Sequence, residues 1–265
     1  MNANEQILTF ILKCSRKDLY LSPPKLNISQ QKIYDEMTAR LASGEPLQYI
    51  LGSCDFMGTR LLVNKHVLIP RPETEIMVET AIHFLKGCTG DENNVLDLGT
   101  GSGNIAITLA KQCFKVKVVS IDISAETLDV ARKNAQLNGV MDRIDFIQKD
   151  MLEFLSTTWR RENFFDMIIS NPPYIPTDQL KNLPKDVRQE PDLALNGGID
   201  GLDYYRIIVE HAHKFLIGSG RLIMELGDDQ FDLVADMIKA KGCFSKPEFI
   251  LDYVGIKRII FADKQ

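Results

Sequence analysis

Cysteine, tryptophan and long apolar runs are scarce in this sequence. The 265 residues include five cysteines, an odd number with no Cys-x-x-Cys pair, and a single tryptophan. This spacing argues against a disulfide framework or a zinc site, and it favours small buried cysteines in a reducing cytoplasm. No apolar run approaches the roughly 18 residues of a membrane span. The opening MNANEQILTF has an acid before any base, so we expect no signal peptide.

Basic residues are also fewer than acidic ones. The chain has 31 Lys and Arg against 36 Asp and Glu, which gives a formal net charge of −5. That balance argues against a protein that binds mainly to a phosphate backbone. The composition, 45% hydrophobic and 25% charged, is that of a folded globular protein and excludes a disordered chain.

Two changes in the sequence pattern divide the chain into three predicted parts. Apolar residues at helical spacing precede a break at 21–24, and a second helix follows, for which Ser29 is a suitable cap. These features predict an N-terminal helical domain over residues 1–44. Residues 45–70 combine strand-forming residues with glycines, which predicts a β-hairpin linker. Residues 71–265 make up the remaining domain.

From about residue 93 apolar strands alternate with helices. The predicted strands are Val95–Leu98, Val118–Asp122, Ile144–Gln148, Phe165–Ser170, Arg221–Leu226, Phe249–Tyr253 and Arg258–Ala262. Helices are expected at Ile105–Lys111, Ser124–Asn138, Leu202–Leu216 and Phe231–Gly242. Buried strands separated by helices predict an α/β fold with a mostly parallel sheet that helices cover on both faces.

A glycine-rich turn, Asp97–Gly103, follows the first of these strands. Its glycines permit positive φ angles and a close approach of backbone to a ligand at the carboxyl edge of the sheet. The spacing is G-x-G-x-G, which is not the G-x-G-x-x-G of dinucleotide sites. Asp97 would repel a pyrophosphate but suits a cation, such as the ammonium and sulfonium of S-adenosyl-L-methionine. The residues predicted to bind this cofactor are Asp97, Gly99, Thr100, Gly101 and Gly103, together with Asn171 at the end of a later strand.

Two further acids follow the next two strands. Asp122 can accept both ribose hydroxyls, as acids at this position do in other nucleotide folds. Asp150 can accept the adenine amino group. Each also has a simpler explanation, since aspartates after strands often cap helices.

The segment Asn171–Tyr174, with the sequence Asn-Pro-Pro-Tyr, ends the fourth strand. Two prolines stop ladder pairing and hold the backbone extended beside the cofactor edge. The Asn171 side-chain oxygen and the Pro172 carbonyl can each accept one N–H of a planar nitrogen, while Tyr174 packs on the planar group. Such a site works by orientation and fixed dipoles, without a strong base. The plainer alternative is a loop with a buried tyrosine.

These segments together resemble a known family. The Asp97–Gly103 turn with Asn171–Tyr174 resembles the signature of class I S-adenosylmethionine-dependent methyltransferases that act on exocyclic or amide nitrogen. Pro46–Gly52 and Leu68–Glu75 resemble segments of the HemK/PrmC family, the release factor glutamine methyltransferases. The run from Glu190 to Leu202 resembles the same family.

The resemblance implies a Rossmann-like, seven-stranded methyltransferase domain with a small N-terminal helical domain and a β-hairpin linker. It implies S-adenosyl-L-methionine as cofactor and class I peptide chain release factors as partners. The implied reaction methylates the side-chain amide nitrogen (N5) of the glutamine in their Gly-Gly-Gln motif, with Asn171 and the Pro172 carbonyl holding the amide. The other residues implied at the substrate are Pro173, Tyr174, Arg71, Glu73 and Glu190. The alternative for Arg71 and Glu73 is a surface salt bridge, and the alternative for Glu190 is a plain loop turn.

Two rival functions stay open at this stage. Adenine N6 in nucleic acid presents the same two N–H donors, so Asn-Pro-Pro-Tyr alone does not separate the substrates, although the acidic balance disfavours nucleic acid. A non-catalytic module that binds cofactor and partner is the second rival, and the intact Asn171 argues against it. We expect no metal site from the four scattered histidines, and Trp159 beside two arginines is best explained by a solvated helix end.

Overall fold

The computed structural model describes residues 1–21, 25–156 and 162–265. Residues 22–24 of the predicted break at 21–24, and Trp159 with its two arginines, lie outside the described residues. The helices are α1 (Ala3–Leu12), α2 (Arg16–Leu21), α3 (Ile28–Ala42), α4 (Leu47–Leu51), α5 (Pro72–Gly87), α6 (Asn104–Gln112), α7 (Ala125–Leu137), α8 (Met151–Ser156), α9 (Asp192–Leu195), α10 (Asp203–Phe215) and α11 (Phe231–Lys241). The strands are β1 (Ser53–Phe56), β2 (Thr59–Leu62), β3 (Asn93–Leu98), β4 (Val116–Asp122), β5 (Ile144–Gln148), β6 (Phe165–Ser170), β7 (Leu216–Glu225), β8 (Glu248–Leu251) and β9 (Lys257–Asp263).

The large sheet has seven strands in the order β5-β4-β3-β6-β7-β9-β8. The five strands from β5 to β7 pair in parallel, and β9 runs antiparallel to both of its neighbours. One apolar cluster packs α8, α10 and α11 on one face, while a second packs α5, α6 and the small hairpin on the other. The predicted α/β sheet with helices on both faces is therefore confirmed.

The N-terminal helices differ from the sequence prediction at one cap. Asn27, and not Ser29, caps α3, because the Asn27 side chain accepts from Gln30 N at 2.9 Å. The Gln30 side chain in turn accepts from Asn27 N at 3.0 Å, which completes a reciprocal capping box. Ser29 lies inside the first turn of the helix.

The predicted linker contains a helix as well as a hairpin. Residues 47–51 form α4, so the strand-like interpretation of this stretch is wrong. Pro46 is the N-cap residue directly before the helix, and Gly52 ends the helix with a φ of 72°. The hairpin itself, β1 with β2, is antiparallel and pairs Phe56 with Thr59 across its turn.

The sequence-based prediction missed two helices of the sheet domain and misplaced the start of one strand. Helices α5 and α8 were not predicted, although Pro72 stands at the favourable first position of α5. Strand β7 begins at Leu216 and not at Arg221, since it follows α10 without a loop.

Within the described ranges, no helix combines the length and apolar character that crossing a bilayer requires.

One buried asparagine joins the hairpin to the sheet domain. Asn134 of α7 is fully buried, and its Oδ1 accepts from Leu62 N at 2.6 Å. Its Nδ2 donates to Leu62 O and to Ser102 O, each at 2.9 Å. The side chain thereby pairs with the hairpin as a strand would, and it also supports the glycine-rich turn.

Asn134→Ala should therefore lower the free energy of unfolding by about 2–4 kcal/mol, because three backbone groups lose their partner in a mostly buried setting. Urea unfolding followed by circular dichroism measures this. The control is Gln136→Ala, an exposed position on the same helix, which should change the free energy by less than about 0.5 kcal/mol. Equal stability of the two variants would contradict the role given to Asn134.

Candidate active site

The glycine-rich turn leaves β3 and enters α6 at the centre of the sheet. Gly99, Gly101 and Gly103 have φ angles of 76°, 55° and 83°, a region that disfavours residues with a side chain. The N–H groups of Gly99 and Thr100 donate to Ile121 O at 2.9 and 3.0 Å, which holds the turn against β4. The turn is thus fixed by backbone contacts with the neighbouring strand.

Asp97 lies fully buried immediately beneath this turn. Its Oδ2 accepts from Thr100 Oγ1 at 2.6 Å, and Ser120 Oγ is 3.4 Å away. Its Oδ1 has no hydrogen-bond partner among the described residues. Burial raises the pKa of Asp97 to about 7, and the two hydroxyls oppose that rise. A nearby cation would stabilise the ionised form and lower this pKa again.

Asp122 and Asp150 lie at the carboxyl ends of the next two strands, as predicted. Asp122 ends β4, where Oδ2 accepts from Gly101 N and Oδ1 from Ser124 N, both at 3.1 Å. Burial raises its pKa, and these backbone donors lower it. Asp150 lies two residues beyond β5, and its Oδ1 accepts from Glu153 N at 3.0 Å. The cap role considered for Asp150 is therefore present, and the residue also lines the cavity described below.

Asn171 follows β6 directly, next to the glycine-rich turn. Ser170 Oγ donates to Leu98 O at 2.7 Å, so the ends of β6 and β3 are joined. Asn171 Nδ2 donates to Thr74 Oγ1 at 3.1 Å, and that hydroxyl donates to Glu225 Oε2 at 2.6 Å. Among the described residues no group donates to Asn171 Oδ1, which leaves this oxygen as a free acceptor.

Glycines pack closely around the backbone of Asn171–Tyr174. A Cβ on Gly197 would lie 2.7 Å from Tyr174 Cα, and one on Gly201 would lie 2.3 Å from Tyr174 O. The Tyr174 carbonyl also accepts from Gln230 Nε2 at 3.0 Å. Burial raises the pKa of the Tyr174 hydroxyl, so this ring stays neutral at physiological pH. Contacts with Gly197, Gly201 and Gln230 thus fix the position of the Asn171–Tyr174 backbone.

A cavity of about 270 Å³ lies at this edge of the sheet. It brings together many of the predicted site residues, namely Gly99, Thr100, Gly101, Asp122, Asp150, Asn171, Pro173 and Arg71. Other predicted residues do not line it, namely Asp97, Gly103, Pro172, Tyr174, Glu73 and Glu190. In the part of the chain that the structure describes, no group of three or more His, Cys, Asp or Glu side chains is placed to hold a metal ion.

Comparison with known proteins connects this site to a family. Residues 90–246 match the family described as methyltransferase domain, and residues 2–52 match the PrmC N-terminal domain. The release factor glutamine methyltransferase of Thermodesulfovibrio yellowstonii is 36% identical over 261 residues, which covers 98% of this chain and 91% of that protein. The chain belongs to the release factor glutamine methyltransferase family. This confirms the resemblance seen in the sequence motifs.

A second member of the release factor glutamine methyltransferase family, from Moorella thermoacetica, is 41% identical over 223 residues, covering 84% of this chain and 76% of that protein. Among solved structures, a methyltransferase from Pyrococcus furiosus superposes with a TM-score of 0.55 at 18% identity. The match covers 87% of this chain and 98% of that one. At this identity the likeness concerns the fold, which is the predicted Rossmann-like methyltransferase fold.

In this family member, Arg71 and Glu190 contact each other at the edge of the cavity. Arg71 Nη2 pairs with Glu190 Oε1, and Glu190 Oε2 accepts from Ile69 N at 2.9 Å. Glu190 is 4% exposed, and burial raises its pKa against the opposing effect of Arg71. The pair joins the segment before α5 to the loop before α9. Glu73 lies in the first turn of α5, partly exposed.

Sequence reasoning missed two side chains that support Asn171. Thr74 lies inside the Leu68–Glu75 motif but was not singled out, and it is 1% exposed. Glu225 is the last residue of β7 and is 1% exposed, and burial raises its pKa to about 7. Its position, an acid at the end of an apolar strand, is the same signal that identified Asp97 and Asp122.

Proposed function

We propose that this protein transfers a methyl group from S-adenosyl-L-methionine to the side-chain amide nitrogen (N5) of glutamine in the Gly-Gly-Gln motif of class I peptide chain release factors. The observation that carries the proposal is a free amide acceptor, Asn171 Oδ1, beside a glycine-rich turn in a member of this family. The proposed partner is the release factor, with no direct nucleic-acid contact. The proposal includes a cytoplasmic location, where translation takes place.

Residues in the cavity and directly beneath it support binding of S-adenosyl-L-methionine. The buried Asp97 Oδ1 without a partner among the described residues supplies negative charge for an ammonium or sulfonium. A Cβ built on Gly101 meets no atom within 4 Å, so a ligand has room beside this backbone. Each Asp122 oxygen accepts one backbone N–H and keeps a lone pair for a ribose hydroxyl. When bound, the cofactor supplies an electrophilic methyl group.

Asn171 and Pro172 are the proposed acceptors for the substrate amide. Asn171 Oδ1 takes one N–H and the Pro172 carbonyl takes the other, which fixes the nitrogen and directs its lone pair away from both acceptors. Fixed acceptors also draw electron density towards the nitrogen, so no strong base is needed before transfer. The new N–C bond would form as the sulfur–methyl bond breaks, and one N–H proton would then leave to solvent. Tyr174 is neutral and packs on the planar group. In this proposal Arg71 lines the cavity and Glu190 holds it in place, while Glu73 lies near them in the first turn of α5.

Asp122→Ala should weaken binding of S-adenosyl-L-methionine by about tenfold or more, because two ribose hydroxyls lose charge-assisted partners. Isothermal titration calorimetry measures the dissociation constant. Asp129→Ala, an exposed position on α7, is the control and should leave that constant unchanged. Equal affinities in the two variants would contradict the ribose contact.

The labelling experiment that tests the proposal uses cofactor with a radioactive methyl group. Purified protein is incubated with release factor, with DNA or RNA, and with no acceptor. We expect label in the release factor alone. Label in nucleic acid would instead favour the adenine N6 reaction, and no label in any acceptor, with cofactor binding confirmed, would favour a non-catalytic binding module.

A further inference from the structure

We propose that Glu225 and Thr74 act as positioning residues that set which end of the Asn171 amide faces the substrate. This inference deepens the function proposed above and rests on it. The three side chains come from separate elements, β7, α5 and the loop after β6, and they form one continuous hydrogen-bonded chain. Neither Thr74 nor Glu225 belongs to the Asn-Pro-Pro-Tyr segment.

The direction of each hydrogen bond follows from the donors available. An ionised carboxylate only accepts, so the single Thr74 hydroxyl hydrogen points to Glu225 Oε2 at 2.6 Å. Thr74 Oγ1 can then only accept from Asn171, and the atom 3.1 Å away must be the Nδ2 donor. An amide carries its oxygen opposite its nitrogen. Asn171 Oδ1 is therefore left to face the substrate N–H.

Protonation of Glu225 removes this constraint. A carboxylic acid donates its own hydrogen to Thr74 Oγ1, and the hydroxyl hydrogen is then free to point at Asn171. An Asn171 amide turned by 180° would accept that hydrogen through Oδ1 and present Nδ2 to the substrate. Two donors would then face each other, which is incompatible with holding the substrate nitrogen.

Glu225 is buried where its charge responds to several neighbours. The charged and titratable groups that face it are Arg258, Arg71, Glu73, Tyr174 and Tyr205. The two arginines favour the ionised form, whereas burial and Glu73 oppose it, and the pKa of Glu225 is about 7. Because the ionised form is the one that orients Asn171, activity should be present above this pKa and fall as the pH drops through it.

The kinetic test measures kcat against pH at saturating cofactor, so that titration of Asp97, which acts on cofactor binding, does not enter. In the wild-type enzyme, kcat should fall as the pH decreases through the pKa of Glu225; this decrease is the acid limb of the profile. Thr74→Ser keeps the hydroxyl and should keep the limb with kcat within about threefold of wild type. Thr74→Val and Glu225→Gln should lower kcat by about tenfold and flatten the limb.

Thr80→Val is the matched control for loss of a hydroxyl. Thr80 lies on the same helix, and its hydroxyl donates to Ile76 O at 2.8 Å within α5. This variant should keep both kcat and the acid limb. Thermal unfolding by circular dichroism checks that each variant is folded. An unchanged acid limb in folded Thr74→Val or in folded Glu225→Gln overturns the proposal.

A spectroscopic measurement separates this inference from the proposed function. In ¹⁵N-labelled protein the Asn171 side-chain NH₂ signals are assigned by their loss in Asn171→Ser. They should shift with pH near 7 in wild type and in Thr74→Ser, and stay unshifted in Thr74→Val. This holds whether or not release factor becomes methylated. An Asn171 signal that does not titrate in wild type refutes the inference, while a wild type that titrates but leaves release factor unmodified refutes only the proposed substrate.

Discussion

Asn171→Ala is expected to lower kcat by about 10²-fold or more, the effect of losing one preorganised polar contact at a reacting group. Alanine removes Oδ1, the proposed acceptor for one substrate N–H. The cofactor contacts proposed for Asp97 and Asp122 are on other strands and should remain intact. The dissociation constant of S-adenosyl-L-methionine should therefore change little. Single-turnover kinetics with saturating release factor and calorimetry with the cofactor measure the two quantities separately.

The control for this variant is Asn182→Ala, which replaces an exposed asparagine in the 3₁₀ turn Thr177–Asn182. It should keep normal turnover. If Asn171→Ala also keeps near-normal turnover, the acceptor role is wrong. If it loses cofactor affinity as strongly as turnover, Asn171 serves the cofactor more than the substrate.

Gly197→Ala is expected to reduce kcat by about 10- to 100-fold, although Gly197 itself does not line the cavity. The added Cβ would lie 2.7 Å from Tyr174 Cα and 2.8 Å from Pro173 O. Both are backbone atoms, so the clash cannot be relieved by turning a side chain. The Asn171–Tyr174 segment must shift, and it carries both proposed substrate acceptors.

Gly87→Ala is the matched control, because a Cβ on Gly87 meets no atom within 4 Å and the residue ends α5. That substitution should leave kcat unchanged and leave stability equal or slightly higher. Measuring kcat and the melting temperature for both variants tests whether the close packing at Gly197 positions the Asn171–Tyr174 segment. Normal turnover in a folded Gly197→Ala protein would show that this close packing does not position the segment.

The strand-end residues of the site were predictable from sequence. In a parallel sheet, the carboxyl ends of neighbouring strands meet at one edge. Residues at these strand ends, such as Asp97, Asp122 and Asn171, can therefore be assigned to one site before any contact is known. The structure places all three at this edge, and Asp122 and Asn171 line the same cavity.

The residues that support the site were not predictable in the same way. Thr74 reaches Asn171 from a helix 97 positions earlier in the chain, and Asn134 reaches Leu62 across 72 positions. No local pattern encodes such distant partners, and a single threonine or asparagine on a helix is typical of a solvent-exposed position. Helix α4 was missed because five residues are too few to reveal a helical period.

The substrate contacts predicted for Arg71, Glu73 and Glu190 remain hypotheses. The geometry favours a supporting role for Glu190 over direct contact with the substrate. Glu190 uses both carboxylate oxygens within the protein, on Arg71 and on Ile69 N. A carboxylate so engaged is better suited to holding Arg71 in position than to binding a substrate directly. The division at residues 44 and 70 likewise stays a prediction, although α4 and the hairpin lie between these positions.

The most direct test of the whole account is a mass spectrum of release factor after incubation with this protein and S-adenosyl-L-methionine. We predict a gain of one methyl group on the peptide that contains Gly-Gly-Gln, located by fragmentation to the glutamine side chain and absent when Asn171→Ala replaces the wild-type enzyme. An unmodified peptide, from protein that binds the cofactor, would contradict glutamine methylation, and adenine in nucleic acid would be the next acceptor to try.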